Sequence, residues 1–250
     1  MNYSGLYMGT SGILLPYKNQ TQYPAEFEGR SRLQVYGHFF NSLEVNSIFY
    51  KLPRPATVAH WSESVPESFR FTFKLSKQIT HNPGLSFERG DITAFVETVQ
   101  VAGSKCGCIL IQFPPSVKFN LFGRLADLLS AVKEETADRW PLAVEFRDRS
   151  WYRPESYDLL DELGATMVYH DKTGSQSPQP ALDSDVIYLR FHGPDGNYRG
   201  SYDPGLLYEY AGYVSGWRQA GKTLYVYFNN TAGDALANLQ TMQTYLADFS

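Results

Sequence analysis

Short apolar runs alternate along the chain with stretches whose apolar residues recur three and four positions apart. The runs have the length of β-strands, and the longer stretches have the periodicity of amphipathic helices. We predict eight strands, at 6–9, 42–46, 69–75, 108–113, 142–146, 166–170, 186–191 and 223–230. We predict helices at 25–40, 55–65, 91–103, 122–135, 154–164, 206–221 and 234–249. Pro55 suits the first turn of its helix. In the next helix, Asp91 is the expected N-cap and Gly103 is expected to end the helix.

Eight strands, nearly all followed by a helix, within 250 residues favour an α/β fold, a single (β/α)₈ barrel of the TIM type with parallel strands and outer helices. Neither an internal repeat nor a linker interrupts the series, so residues 1–250 are expected to form one domain. The alternative is an open Rossmann-like sheet. It is disfavoured because "GTSG" follows the first strand where that fold carries GxGxxG.

The two faces of each predicted strand differ in polarity, since side chains alternate along a strand. One face is apolar and should meet the helices: Leu43, Val45, Phe71, Phe73, Ile109, Ile111, Val144, Phe146, Leu189, Phe191, Val226 and Phe228. The other ends in polar residues: Glu44, Asn46, Lys74, Gln112, Glu145, His170, Arg190, His192 and Asn229. In a barrel this face points inward, and its late positions lie at the C-terminal mouth, where barrel enzymes keep their chemistry.

These polar residues predict a site for a small polar substrate that is a sugar or carries an anionic phosphate or carboxylate group. Glu145 or Glu44 would be the general acid or base, with His170 and His192 as further catalytic candidates. Lys74 and Arg190 would hold an anionic group, and the amides would complete the binding site. The structural alternative is an ion network that satisfies itself, because two carboxylates face two cations. Either way, a carboxylate should lie within salt-bridge reach of Arg190 or Lys74.

Metal and thiol chemistry have weaker support. No cofactor is predicted; a divalent metal stays open, because Asp148 and Asp171 could join the two histidines at the strand ends. Cys106 and Cys108 lack further ligands at zinc spacing, which indicates two free thiols in a reducing cytoplasm.

Several single residues have two interpretations. His81 follows the third strand and either reaches the mouth or meets solvent. Trp151 either lines the pocket or covers the barrel end. The segment "NNTAGDA" at 229–235 offers backbone N–H groups to an anion, unless Asp234 simply caps the helix. Ser11 has no identifiable partner, which argues against covalent acyl chemistry.

The overall charge limits the partners. The formal net charge is −4 and no basic block occurs, so nucleic-acid binding through the phosphate backbone is disfavoured. The N-terminus lacks a signal pattern and no apolar run reaches membrane-spanning length, so a soluble cytoplasmic protein is expected. The sequence does not predict the oligomeric state.

Seven ordered motifs resemble those of the YecE-like proteins, a family built on a domain of unknown function. They are "MGTSG", "LEVNSIFY", "FRFTFKLSKQITH", "ILIQFPPS", "LAVEFRDRSWY", "IYLRFHG" with "YRGSY", and "YVYFNN". The resemblance covers nearly the whole chain and implies a TIM-barrel-like fold without an established reaction. It adds Tyr198 to the motif positions. Family members commonly continue after "GTSG" with a W-x-Y-x-x-W segment, whereas "ILLPYKNQ" here has no tryptophan.

Three functions follow from these observations. The first is a cytoplasmic enzyme acting on a small polar substrate. The second is a metal-assisted nuclease or isomerase of the barrel class. The third is a non-catalytic module that binds a metabolite.

Overall fold

The computed structural model describes residues 5–178 and 184–249 and contains eight parallel strands in one sheet. The strands are β1 (Leu6–Thr10), β2 (Ser42–Val45), β3 (Arg70–Lys74), β4 (Cys106–Gln112), β5 (Leu142–Glu145), β6 (Thr166–His170), β7 (Val186–Phe191) and β8 (Thr223–Phe228). Their order is β1-β8-β7-β6-β5-β4-β3-β2, so the two ends of the sheet meet at β1 and β2. The predicted (β/α)₈ barrel is confirmed, and each predicted strand lies within a few residues of its observed position.

Helices surround this sheet. They are α1 (Arg32–Phe39), α2 (Pro55–Glu63), α3 (Lys77–Thr80), α4 (Arg89–Val99), α5 (Phe122–Thr136), α6 (Pro154–Glu162), α7 (Pro204–Gln219) and α8 (Ala235–Tyr245). Pro55 begins α2 as predicted. The predicted loop at 171–180 extends to residues 179 and 180, which lie outside the described part of the chain.

Two predicted helices were wrong in their boundaries. The stretch 25–40 is divided into a 3-10 turn at Ala25–Phe27 and helix α1, because a capping box between Ser31 and Gln34 starts a new helix. Helix α4 begins at Arg89, so Asp91 lies in its first turn and is not its cap.

Helix α4 also ends earlier than predicted, at Val99. A 3-10 segment, Gln100–Lys105, follows it, and Gly103 adopts a positive φ of 57° inside that segment. This glycine therefore interrupts the 3-10 segment that leads into β4 and does not end the helix itself.

The β1–β2 junction is closed largely by side chains. The Asn41 carboxamide accepts a hydrogen bond from the Met8 N–H at 2.9 Å and donates one to the Leu6 carbonyl at 2.7 Å. The Tyr36 hydroxyl receives the Thr10 N–H at 2.8 Å. These groups take the place of ladder hydrogen bonds, and the barrel is nearly closed.

Gly9 explains why the two strands can approach at this junction. A Cβ atom at position 9 would lie 2.0 Å from the carbonyl oxygen of Ser42. No side chain fits in that space, so a glycine is required where β1 passes β2.

The strand alternation separates two cores, as predicted. The outward-facing side chains pack against the helices in one large apolar cluster. A smaller cluster fills the barrel interior and consists of Cys108, Leu110, Ala143, Val168, Tyr188, Tyr225 and Tyr227. The interior is therefore packed up to the level of the polar residues, which places those residues at the mouth.

Trp151 and the cysteines belong to this packing. The Trp151 ring stacks on Phe146 at a centroid distance of 4.8 Å and its indole N–H donates to the Val117 carbonyl, so it lies among the outward-facing side chains. Cys106 and Cys108 are both buried and unbridged. None of the helices in the described ranges combines the length and hydropathy needed to cross a bilayer.

Candidate functional site

Arg190 on β7 is the centre of a buried ion network at the barrel mouth. Its Nε and Nη2 donate to the two carboxylate oxygens of Glu44 at 2.9 and 2.6 Å. Its Nη1 donates to Oε2 of Glu145 at 2.6 Å. All three side chains are almost completely buried. The predicted contact between Arg190 and a carboxylate is confirmed.

Arg147 is a second guanidinium in the network that the sequence analysis did not select. Its Nη2 forms an ion pair with Oε1 of Glu145. The same Nη2 lies 2.9 Å from Nε2 of His192. Arg147 continues the alternation of β5 two residues beyond Glu145, and extending that pattern past the strand end would have identified it.

Arg147 changes the charge balance of the mouth. Two carboxylates, Glu44 and Glu145, face three cationic side chains, Arg147, Arg190 and Lys74, all of them buried. Two carboxylates and two cations would sum to zero, but with Arg147 and neutral histidines the fully buried groups carry one excess positive charge. Asp171, beside His192, has a side chain that is 26% exposed and is not counted among them.

Both carboxylates are held in the ionised form. Burial alone would raise the pKa of Glu44, but the charge and hydrogen bonds of Arg190 outweigh burial, so this pKa lies below its usual range. Burial likewise opposes ionisation of Glu145, yet Arg147 and Arg190 hold its pKa well below the usual value. Each carboxylate is thus a permanent counter-ion at neutral pH.

Glu44 has three further hydrogen-bond donors. They are the hydroxyl of Ser11 at 2.6 Å, the hydroxyl of Tyr188 at 2.6 Å and the side-chain N–H of Asn46 at 3.1 Å. The expectation that Ser11 lacks a partner was wrong, because the barrel closes between β1 and β2 and places Ser11 beside Glu44. Tyr188 shares the inward face of β7 with Arg190.

His192 is held in one tautomer by its surroundings. Its Nε2 lies 2.9 Å from Arg147 and 3.3 Å from Arg190. A guanidinium can only donate, so Nε2 carries the lone pair and Nδ1 carries the proton. Nδ1 lies 3.4 Å from Oδ1 of Asp171. Burial lowers the pKa of His192, so the ring is neutral.

Asp171 fixes this histidine from behind. Its Oδ1 accepts the backbone N–H of His192 at 2.6 Å, and its Oδ2 accepts the hydroxyl of Tyr202. The Tyr202 oxygen also accepts the N–H of Gly193 at 2.6 Å. Both carboxylate oxygens of Asp171 therefore already accept hydrogen bonds from the segment after β7.

His170 is held in the opposite tautomer. Its Nε2 donates to the Phe146 carbonyl at 3.0 Å, and its Nδ1 accepts the backbone N–H of Lys172 at 3.2 Å. Burial lowers the pKa of His170 to about 4. Both ring nitrogens are therefore bound by backbone groups, and the ring is neutral at pH 7.

Lys74, at the end of β3, differs from the two arginines. Its Nζ donates to the side-chain oxygen of Gln112 at 2.8 Å and lies 4.0 Å from the centroid of the Phe49 ring. Among the described residues, no carboxylate oxygen comes within ion-pair distance of this ammonium group. Burial, reinforced by the charge of Arg190, lowers the pKa of Lys74 to about 8.

The other predicted binding residues surround this network. Tyr198 packs edge-on against the His192 ring, and its hydroxyl lies 3.5 Å from Nη1 of Arg147. Asn46 has a buried side-chain oxygen that no described residue hydrogen-bonds. Asn229 is buried at the end of β8, where its backbone N–H donates to the Phe191 carbonyl.

His81 and the 229–235 segment lie beside the network. The Nδ1 of His81 lies 2.8 Å from the Thr80 hydroxyl, and burial lowers the pKa of this histidine to about 4. Of the two interpretations of the 229–235 segment, the capping role of Asp234 is not observed, because its side chain makes no cap hydrogen bond to α8. The N–H groups of Ala232, Gly233 and Asp234 already donate to protein carbonyls, so they are not available to an anion.

A metal would need a different donor set. Within residues 5–178 and 184–249, no three His, Cys, Asp or Glu side chains are grouped as a metal site requires. The two buried carboxylates already bind guanidinium groups, which compete with a cation for the same oxygens.

Comparisons with known proteins agree with the predicted resemblance. YunF of Bacillus subtilis, a UPF0759 protein, is 28% identical over 251 residues, which cover 88% of each chain. YecE of Escherichia coli K12 is 31% identical over 86 residues, covering 34% of this chain and 32% of its own. A DUF72 family structure from Thermotoga maritima has a TM-score of 0.77 and 26% identity, covering 97% of this chain and 99% of that one.

The family profile extends over nearly all of the chain. It is described as "Protein of unknown function DUF72" and matches residues 7–249, which include every residue of the ion network and all of the barrel strands except Leu6, the first residue of β1. The chain therefore belongs to the DUF72 family.

Proposed function

We propose that the protein is an enzyme that binds a small anionic substrate, carrying a phosphate or a carboxylate, at the C-terminal mouth of the barrel. The observation that carries this proposal is the excess positive charge of the buried cluster. Lys74 is the cation that no carboxylate neutralises within the described ranges, and Gln112 gives it only a neutral acceptor.

The surroundings of Lys74 favour an anion on physical grounds. A charge in a region of low dielectric constant acts more strongly than the same charge in water. Arg147 and the Tyr198 hydroxyl lie at the same mouth and can donate to anionic oxygens, because a guanidinium has five N–H groups. Asn46, Gln112 and Asn229 supply amides that fix the orientation of the substrate.

The roles of the titratable groups follow from their protonation states. Lys74, with a pKa of about 8, is the group best suited to donate a proton near neutral pH. Glu44 and Glu145 are ionised, and either can act as a base only when the substrate displaces an arginine from it. His192 and His170 are neutral, and we propose that they hold Arg147 and the loop after β6 in position.

A non-catalytic binding module is the second candidate. The specific observation in its favour is that most charges of the network already have partners inside the protein, as the three hydrogen bonds from Arg190 to carboxylates illustrate. Such a network can serve a binding pocket as well as a catalytic one. Turnover of a bound metabolite separates the two candidates.

Inorganic phosphate tests the anion site. Thermal unfolding is followed in increasing phosphate, with chloride at matched ionic strength as the reference. We expect phosphate to raise the midpoint of the unmodified protein, since a ligand of the folded state stabilises it. Lys74→Met should abolish this increase. The matched control is Lys77→Met, because Lys77 is an exposed lysine three residues away on α3.

An equal phosphate response in Lys74→Met and in the unmodified protein would contradict the proposal. Circular dichroism of each variant confirms that the comparison is made between folded proteins. Metabolites that raise the midpoint are then assayed for turnover. Binding without turnover of any such compound would favour the non-catalytic module.

A further inference from the structure

Lys74 is the last residue of β3, and its side chain lies on the inward face of the barrel. This side chain is buried, and its ammonium group makes few hydrogen bonds. Lys74 is 9% exposed as a whole residue, so most of its surface is shielded from solvent. Among the described residues, the Gln112 oxygen is its one hydrogen-bond acceptor, and the Phe49 ring covers it at 4.0 Å. This contact leaves two N–H groups of the ammonium ion unused.

The charges around Lys74 favour release of its proton. Burial is the largest effect, and Arg190 and Arg147 add to it, whereas Glu145 and Glu44 oppose it. His81, near the end of α3, has a low pKa of about 4 and adds no charge at neutral pH. With a pKa of about 8, about one tenth of the molecules carry a free amine at pH 7.

We infer that Lys74 is a nucleophile that forms a Schiff base with the carbonyl group of a small anionic aldehyde or ketone. This inference rests on the proposed function, because the anionic group of the compound would be held by Arg147 and its neighbours. A desolvated lysine beside other cations is the arrangement that activates an amine for this chemistry.

The reaction balances without a further reagent. The lone pair of the neutral amine forms a bond to the carbonyl carbon, and the π electrons of the carbonyl move to oxygen, which takes up the proton that the nitrogen loses. A second proton, from solvent, then adds to this oxygen. The nitrogen lone pair forms the C=N⁺ bond of the iminium as the C–O bond breaks, and the oxygen leaves as water. Amine, carbonyl compound and one proton from solvent thus give iminium and one water. The iminium carries the same charge as the ammonium ion it replaces, so Glu44 and Glu145 stabilise both.

Reductive trapping tests this inference. The folded protein is treated with limiting glyoxylate, an anionic aldehyde, and cyanoborohydride, which reduces the imine to a stable secondary amine. Peptide mass mapping then compares the modification rates of individual lysines. We expect Lys74 to react roughly tenfold or more faster than the exposed Lys77, because each unit by which burial lowers the pKa of Lys74 raises its free-amine fraction about tenfold.

Three controls define the result. Lys74→Arg keeps a cation at the site but removes the trapped peptide. Unfolding the protein in urea should bring the rates of Lys74 and Lys77 together. Acetaldehyde, which lacks the carboxylate, should react with Lys74 more slowly than glyoxylate does, while Lys77 should show a smaller preference.

The outcomes separate this inference from the proposed function. Modification of Lys74 no faster than that of Lys77 overturns the inference, and the anion site still stands if phosphate raises the unfolding midpoint. Equal rates with glyoxylate and acetaldehyde at Lys74 overturn the assignment of an anionic carbonyl compound. Selective, glyoxylate-preferring modification supports it.

Discussion

The guanidinium of Arg190 binds both carboxylate oxygens of Glu44 through Nε and Nη2, at 2.9 and 2.6 Å. These residues lie on β7 and β2, which are not neighbours in the sheet, since β8 and β1 lie between them. The ion pair therefore spans the side of the barrel where β1 and β2 share few backbone hydrogen bonds. A buried bidentate pair of this kind restrains two strands that the ladder does not connect.

Removing the Arg190 charge should strongly destabilise the fold. Arg190→Met leaves Glu44 buried without its main partner, and breaking a buried pair from one side costs roughly 3–5 kcal/mol. Urea unfolding measures the change in the free energy of unfolding. The control is Arg89→Met, which breaks the exposed pair with Glu134 and should change the free energy of unfolding far less, since water screens that pair. Similar losses in the two variants would mean that the mouth is solvated.

His170 should make the fold sensitive to mild acid. Burial lowers its pKa from 6.5 to about 4. Between these two pH values His170 is therefore protonated in the unfolded chain but neutral in the folded protein. Stability should therefore decrease as pH falls from 6.5 toward 4, and His170 alone should account for roughly 2 kcal/mol between about pH 7 and pH 5. Urea unfolding at several pH values gives the slope. His170→Gln should show a smaller slope, and an unchanged slope would contradict the prediction.

The two histidines of the mouth should be opposite neutral tautomers. Two guanidiniums face Nε2 of His192, which predicts a proton on Nδ1, whereas Nε2 of His170 donates to the Phe146 carbonyl. Long-range ¹H–¹⁵N spectra at neutral pH distinguish the two forms. In Arg147→Met we expect the Nε2 resonance of His192 to shift, since one donor to this nitrogen is removed, while Arg190 and Asp171 keep the proton on Nδ1. The same tautomer for both rings in the unmodified protein would be incompatible with the network.

The β1–β2 junction should not accept any side chain at position 9. In Gly9→Ala the new methyl group would lie 2.0 Å from the Ser42 carbonyl oxygen, so the strands must separate. We expect a loss of roughly 1–3 kcal/mol or more, as for other overpacked sites. Gly123→Ala is the control, because a Cβ atom at that helical position meets no atom within 4 Å. Thermal or urea unfolding compares them, and equal stabilities would show that the junction can open freely.

The sequence alone determined which residues share the inward face. Alternation along a strand is a local property of the backbone, so Glu145 and Arg190 could be placed at the mouth without any knowledge of their neighbours. The same pattern, continued two residues past Glu145, also contains Arg147. The number of strand–helix pairs determined the barrel, because eight parallel strands with outer helices close most readily in that form.

Only the tertiary structure decided which of these residues meet. The sequence treated Lys74 and Arg190 as equivalent cations, yet Arg190 binds two carboxylates and Lys74 binds the neutral amide of Gln112. No partner of Ser11 could be predicted from the sequence, although the approach of β1 to β2 places the Ser11 hydroxyl beside Glu44. Which side chains become partners depends on the order and stagger of strands that are far apart in the chain. An ion pair or a lowered pKa requires side chains within a few ångströms of each other, and the periodicity of a local sequence does not specify such distances.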